Sequence, residues 1–229
     1  MKHEKFTIQT DVISSDDGSE TFDIHRRLSS DGKSVILIEL YPTVGIDNPI
    51  SLDVSTMHVI NHANELGWSD IHFINLYSKI TKRKPLASTL MESEENTSWI
   101  VKLFNRKDIR NYEIVIAWGS SLQKHEETIR LKHYLLNFIK TKGLSEQTRH
   151  LTTATLSTAE CLGTHPLYLG LHHSNEKWNT TPYPVDEVLK ELSKKMKPKP
   201  KNNKATSKSI PKLDAKTGKS QENIEKKGA

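Results

Sequence analysis

A His-Pro pair inside Thr164-His165-Pro166-Leu167-Tyr168-Leu169 is the strongest candidate for chemistry in this chain. Proline fixes its own φ and biases the residue before it toward extended geometry, so His165 is held on a stiff turn. Asn75 closes an apolar run, and its amide can donate and accept together. Tyr41-Pro42-Thr43 and Trp118-Gly119 close two further runs. Gly119 admits a ligand close to the backbone at the start of a helix. Trp118 offers either a stacking face or core packing. Lys82-Arg83-Lys84 follows the Asn75 run and suits phosphate contact, although such a run is usually a solvated loop. Asp47 and Asp53 are candidate carboxylates, and no clear water-activating carboxylate stands out.

The histidines do not read as a metal site. His58 and His62 stand at i, i+4, and Cys161, His172 and His173 are also present. A zinc site would be expected to show a cysteine pair or a His-Glu-x-x-His pattern, and neither occurs. Eleven histidines produce such spacings by chance. The expectation is no metal and no cofactor, with Cys161 buried and inert.

The elements that must position these groups alternate. Val35 to Leu40 is a continuous β-branched and aliphatic run, as in a strand buried on both faces. Ile71 to Leu76, Tyr112 to Trp118 and the Thr-rich Leu151 to Leu156 read as three more strands. Helices are predicted from about Asp53 to Leu66, Glu94 to Phe104, Leu122 to Lys142 and Pro184 to Met196. The first is capped by Asp53 or Ser55 and stopped by Gly67. Its inward face is predicted as Val54, Met57, Ile60, Ala63 and Leu66. This order implies an α/β fold, a three-layer α/β/α sandwich with a mainly parallel central sheet. Ligand groups then collect at the carboxyl ends of the strands.

Three segments follow: a polar start at 1–20, one domain at 21–195, and a basic tail at 196–229. From Lys194 onward twelve lysines face Asp214, Glu222 and Glu225, a net of +9. The whole chain carries +5, which leaves about −4 on residues 1–193. The tail therefore makes the pI of 9.1. Rich in Lys, Pro, Asn and Ser, it is predicted to be disordered. Without aromatics it attracts phosphates but reads no base. One cysteine, no apolar leader and no run of ~20 apolar residues predict a soluble cytoplasmic protein without membrane contact. The oligomeric state is left open.

These segments resemble a bacterial family catalogued as domain-of-unknown-function family 1643. The likeness is carried by Tyr41-Pro42-Thr43, Asp53 to Thr56, Ile74-Asn75-Leu76-Tyr77, Ala117-Trp118-Gly119 and His165-Pro166-Leu167-Tyr168. Asn96 falls where the family usually has an Asn-Asp pair, with Thr97 in place of the Asp. Tyr41 stands where the family has Asn, and Val54 where it has Pro. If that Asn orients water or a ligand amide, Tyr41 cannot do the same. A more distant likeness, at the level of fold, is to uracil-DNA glycosylases, with Pro42-Thr43, Asn75 and His165-Pro166 in the same order. That resemblance implies a nucleobase-containing ligand and, in its sharpest form, N-glycosidic hydrolysis on modified or damaged DNA bases. His165 and Asp53 would then be catalytic. Tyr41, Pro42, Thr43, Asn75, Asn96, Trp118, Gly119 and Tyr168 would line the ligand, Leu167 would fill the stack, and Lys82 and Arg83 would hold phosphate. The alternatives are a noncatalytic nucleotide or nucleic-acid binding module with a Lys-rich tether, and an enzyme acting on a free nucleoside or nucleotide.

Overall fold

Aliphatic runs build the centre of a seven-stranded sheet in a computed structural model that describes all residues except 29–30, 49, 82, 157–161 and 197–229. The strands are β1 (Ile8–Ser14), β2 (Thr21–Leu28), β3 (Lys33–Glu39), β4 (Trp68–Asn75), β5 (Tyr112–Ile116), β6 (Thr148–Thr152) and β7 (Asn179–Pro182). They lie in the order β1-β2-β4-β3-β5-β6-β7. Five helices accompany them: α1 (Val54–Leu66), α2 (Glu94–Phe104), α3 (Glu126–Thr141), α4 (Pro166–His172) and α5 (Val185–Lys195).

The expectation of a mainly parallel sheet is corrected. β4, β3, β5 and β6 are parallel, but β1/β2, β2/β4 and β6/β7 are antiparallel. The links before β3 explain part of this. A parallel neighbour needs a crossover of about a dozen residues or more. The Ser15–Glu20 turn and the link from Leu28 to Lys33 are too short for that, so β1, β2 and β3 alternate in direction.

Strand alternation sorts the core into two clusters. Ile36, Ile38, Ile74, Ile114 and Ile116 face α2, α3 and α5. Val35, Leu37, Ile71, Phe73 and Val115 face Val59 and Ala63 of α1 and Leu169 of α4. Helices therefore cover both sides of the sheet, and β3 is fully buried from Val35 to Ile38.

Local signals hold best at caps. Asp53 accepts the Thr56 N–H at 2.7 Å, and Gly67 ends α1 in the left-handed region at φ +70°. The predicted inward face of α1 is corrected: Thr56, Val59 and Ala63 are buried, whereas Val54 and Met57 are 50% and 39% exposed. Strict three-residue spacing drifts around a helix of 3.6 residues per turn, which carries Val54 and Met57 off the inward stripe. α3 starts at Glu126 rather than Leu122, because Leu122 adopts φ +59°, which a helix does not tolerate. β6 lies three residues earlier than predicted, and Thr153 to Leu156 leave the sheet. β1 lies within the polar 1–20 segment. The predicted disordered tail, Lys82 and Cys161 lie outside the described residues. No helix among the described residues is long and apolar enough to cross a membrane.

Candidate functional site

The chain leaves β3 for α1 and β4 on one side, then crosses to β5 on the other. This makes the carboxyl end of β3 a topological switch point, where open α/β sheets hold ligands. Glu39 and Asn75 are register partners there and share the face of Leu37 and Phe73. Helices α1 and α4 lie on that same face, so their N-caps, Asp53 and His165, reach the same edge.

Glu39 is the centre of the site. It is 8% exposed, and its Oε1 accepts no hydrogen bond. Burial first, and the Asp53 charge second, push its carboxyl up to about 8. At neutral pH Glu39 is therefore a protonated acid able to donate. The His165 Nε2 lies 3.6 Å from Glu39 Oε1. His165 Nδ1 accepts the Leu167 N–H at 3.2 Å, which leaves the proton of a neutral ring on Nε2. Burial lowers the imidazole below its ordinary value, with Asp53 opposing. A neutral N–H donor and a neutral carboxylic acid thus stand side by side.

Asp53 is held from two sides: Oδ1 accepts the Thr56 N–H, and Oδ2 accepts the Thr43 hydroxyl. Arg26 of β2, 2% exposed, donates to Thr10 Oγ1 at 2.9 Å and to the Ser51 carbonyl at 3.0 Å, near the start of α1. Asn75 is buried, and its Oδ1 accepts no hydrogen bond. Asn96, in the first turn of α2, donates to the Asn75 and Leu76 carbonyls at 3.0 and 3.3 Å. Asn96 thus braces the end of β4 from the opposite face.

Gly119 joins the edge through a close approach. Its φ is +64°, its N–H donates to the Gly163 carbonyl at 2.7 Å, and an added Cβ would lie 3.1 Å from the His165 Cβ. Gly119→Ala is expected to cost about 1–2 kcal/mol through left-handed strain and to push His165 away from Glu39. Urea denaturation and the His165 ring resonances check both effects.

The remaining predicted residues divide. Leu167 and Tyr168, 37% and 44% exposed, stand on the first turn of α4 beside His165. Pro42 is buried, and its carbonyl accepts the Thr81 N–H at 3.0 Å. Tyr41 is half-buried and packs against the α2/α3/α5 cluster. Trp118 is 4% exposed, edge-on to Tyr183, with the Lys132 Nζ 5.0 Å from its ring, so its faces are taken up by core contacts. Arg83 is exposed. His58 and His62 serve different contacts: His58 lies against Gly170 where α1 meets α4, while the His62 ring stacks on Trp178 at 4.0 Å.

Glu39 was missed in the sequence. Its signal was a single carboxylate inside an otherwise apolar run, Val35-Ile36-Leu37-Ile38-Glu39-Leu40. A charge there has no partner along the strand, so burial must shift it.

No curated protein and no solved structure matches the chain. One family does, over residues 22–167, a span that contains Glu39, Asp53, Asn75, Gly119 and His165. By that match the chain belongs to the family described as Protein of unknown function (DUF1643).

Proposed function

We propose that the crevice at the carboxyl ends of β3, β4 and β5 binds a nucleobase-containing ligand and hydrolyses its N-glycosidic bond, with modified or damaged DNA bases as the sharpest version. The observation that carries this reading is the pairing of a protonated Glu39 with a neutral His165 at 3.6 Å, beside the buried amide of Asn75.

Breaking the bond sends its electron pair to the base nitrogen and leaves positive charge on the sugar. The His165 Nε2–H donates to the base carbonyl as negative charge grows there. Glu39 delivers a proton to the leaving nitrogen. The Asp53 carboxylate faces the developing sugar cation. Water then bonds to the sugar carbon, and its proton returns to the carboxylate of Glu39. Asn75 reads the base edge, Leu167 fills the space the base leaves in the stack, Tyr168 lines the ligand, and Lys82 and Arg83 hold phosphate.

A free nucleoside or nucleotide is the second reading, favoured by the charge of about −4 on residues 1–193, which repels a duplex. A noncatalytic module tethered by the tail is the third. It is favoured by Tyr41, which packs into the core cluster instead of offering an amide.

Purified protein should release base from DNA carrying uracil or other modified bases, scored as abasic sites, and nucleosides are tested in parallel. His165→Ala is expected to lower release roughly 100-fold or more. Equal signals from the wild type and His165→Ala on both substrates would exclude the enzyme readings. Binding lost on deleting residues 197–229 but unchanged in Asn75→Ala would favour the tether.

A further inference from the structure

On the opposite face of the sheet, four titratable side chains stand where the neighbouring strands place isoleucines. Asp23 and His25 of β2, and Asp70 and His72 of β4, alternate with Ile24, Ile71 and Phe73 and so point toward α2. His25 and His72 are register partners, and their rings stack at 3.8 Å with 9° between planes. Burying such groups is costly unless they are partnered or hold an ion.

Their hydrogen bonds leave one buried nitrogen over. Asp23, 1% exposed, can only accept, so the 2.7 Å contact with His72 Nδ1 is an N–H donation to the carboxylate. The His72 Nε2 then carries a bare lone pair, and it is buried without a hydrogen bond, in a residue 4% exposed. The His25 Nε2 meets Asp70 Oδ1. One nitrogen of each imidazole and an oxygen of Asp70 lie within 4.8 Å of one another. A cleft of about 800 Å³ opens beside them, lined also by Trp99, Lys102 and Arg106.

We propose that His25, Asp70 and His72 hold a divalent transition-metal ion of the zinc or cobalt kind, with Asp23 as the outer carboxylate that fixes the His72 ring. Two imidazoles and one carboxylate suit these ions rather than calcium or magnesium. A carboxylate on the far nitrogen of a ligating histidine sets its tautomer and raises its basicity. Parallel rings send their lone pairs side by side, so loading turns the half-buried His25 ring out of the stack and toward the ion. The cleft leaves a further position for water or for an anion held by Lys102 and Arg106. This site shares no residue with the proposed hydrolytic crevice and stands independently of it.

The test titrates the full chain with Zn(II) by calorimetry and with Co(II) by visible absorption. One ion per chain is expected, with the intense Co(II) bands of a low-symmetry nitrogen/oxygen site. His25→Ala and Asp70→Asn should each weaken binding at least tenfold, and Asp23→Asn by roughly 10–100-fold with the stoichiometry kept. His62→Ala, remote from the cluster, should bind as the wild type does. Circular dichroism monitors folding, and Asp70→Asn, nearly isosteric, decides the matter if His25→Ala does not fold. Absence of stoichiometric uptake, or uptake that Asp70→Asn leaves unchanged, would overturn the proposal.

Discussion

Glu39→Gln is expected to make the protein more stable at alkaline pH and, under the proposed function, to abolish base release. The Glu39 carboxyl sits near 4.5 in the unfolded chain and is raised to about 8 in the folded one. Between those values the native state keeps a proton that the unfolded state has lost. Stability therefore falls by about 1.4 kcal/mol per pH unit as pH rises through that window, and the loss is complete above the folded value. Glutamine has no such slope. The variant should match the wild type near pH 4.5 and exceed it by a few kcal/mol at about pH 9. His165 acts in the other direction: burial lowers its folded value, so it costs stability as pH falls below its ordinary value of 6.5. Urea midpoints for the two proteins at about pH 5 and about pH 9, at unchanged m, measure the difference. A gap that does not widen with pH would show that Glu39 is not a buried acid. In the proposed reaction the same substitution removes the proton donor, so any base release should fall with it. Gain of stability with loss of activity is the pattern of a side chain kept for chemistry.

Trp178→Ala carries the largest expected loss of stability. Trp178 is fully buried, its ring stacks on His62 at 4.0 Å and 3°, and its backbone N–H donates to Glu65 Oε1 at 2.8 Å. It thus ties the approach to β7 onto α1, the helix whose N-cap is Asp53. Truncation of a buried tryptophan costs about 3–5 kcal/mol, since transfer energy and a cavity are both incurred. For a domain of this size that lowers Tm by on the order of 10 °C. Trp178→Phe should recover much of the loss. Thermal unfolding followed by circular dichroism reads this directly, and a drop of only a degree or two would mean that α1 is anchored elsewhere. Below the transition, the base release proposed above should fall far less in Trp178→Ala than in His165→Ala, because the crevice residues are untouched.

What the residues determined locally was considerable. The apolar runs of β3 and β4, the bounds of α2, the Asp53 and Gly67 caps of α1 and the inward stripe of α5 (Val185, Leu189 and Leu192) all follow from interactions spanning about four residues or fewer. That four runs end in polar or special residues was likewise plain in the order of the chain. The tertiary structure alone decided the rest. β1 lies in a mostly polar segment and β7 is only four residues long, and they are strands because β2 and β6 offer them an edge to pair with. The antiparallel flanks of the sheet depend on which edge each strand joins, and no local pattern encodes that choice. The carboxyl of Glu39 met His165 across more than a hundred residues of chain, and His25 met His72 through cross-strand register. Periodicity says which way a side chain points along its own element. Only the pairing of elements says what it points at, and burial, which shifts a carboxyl toward neutrality, exists only once that pairing is made.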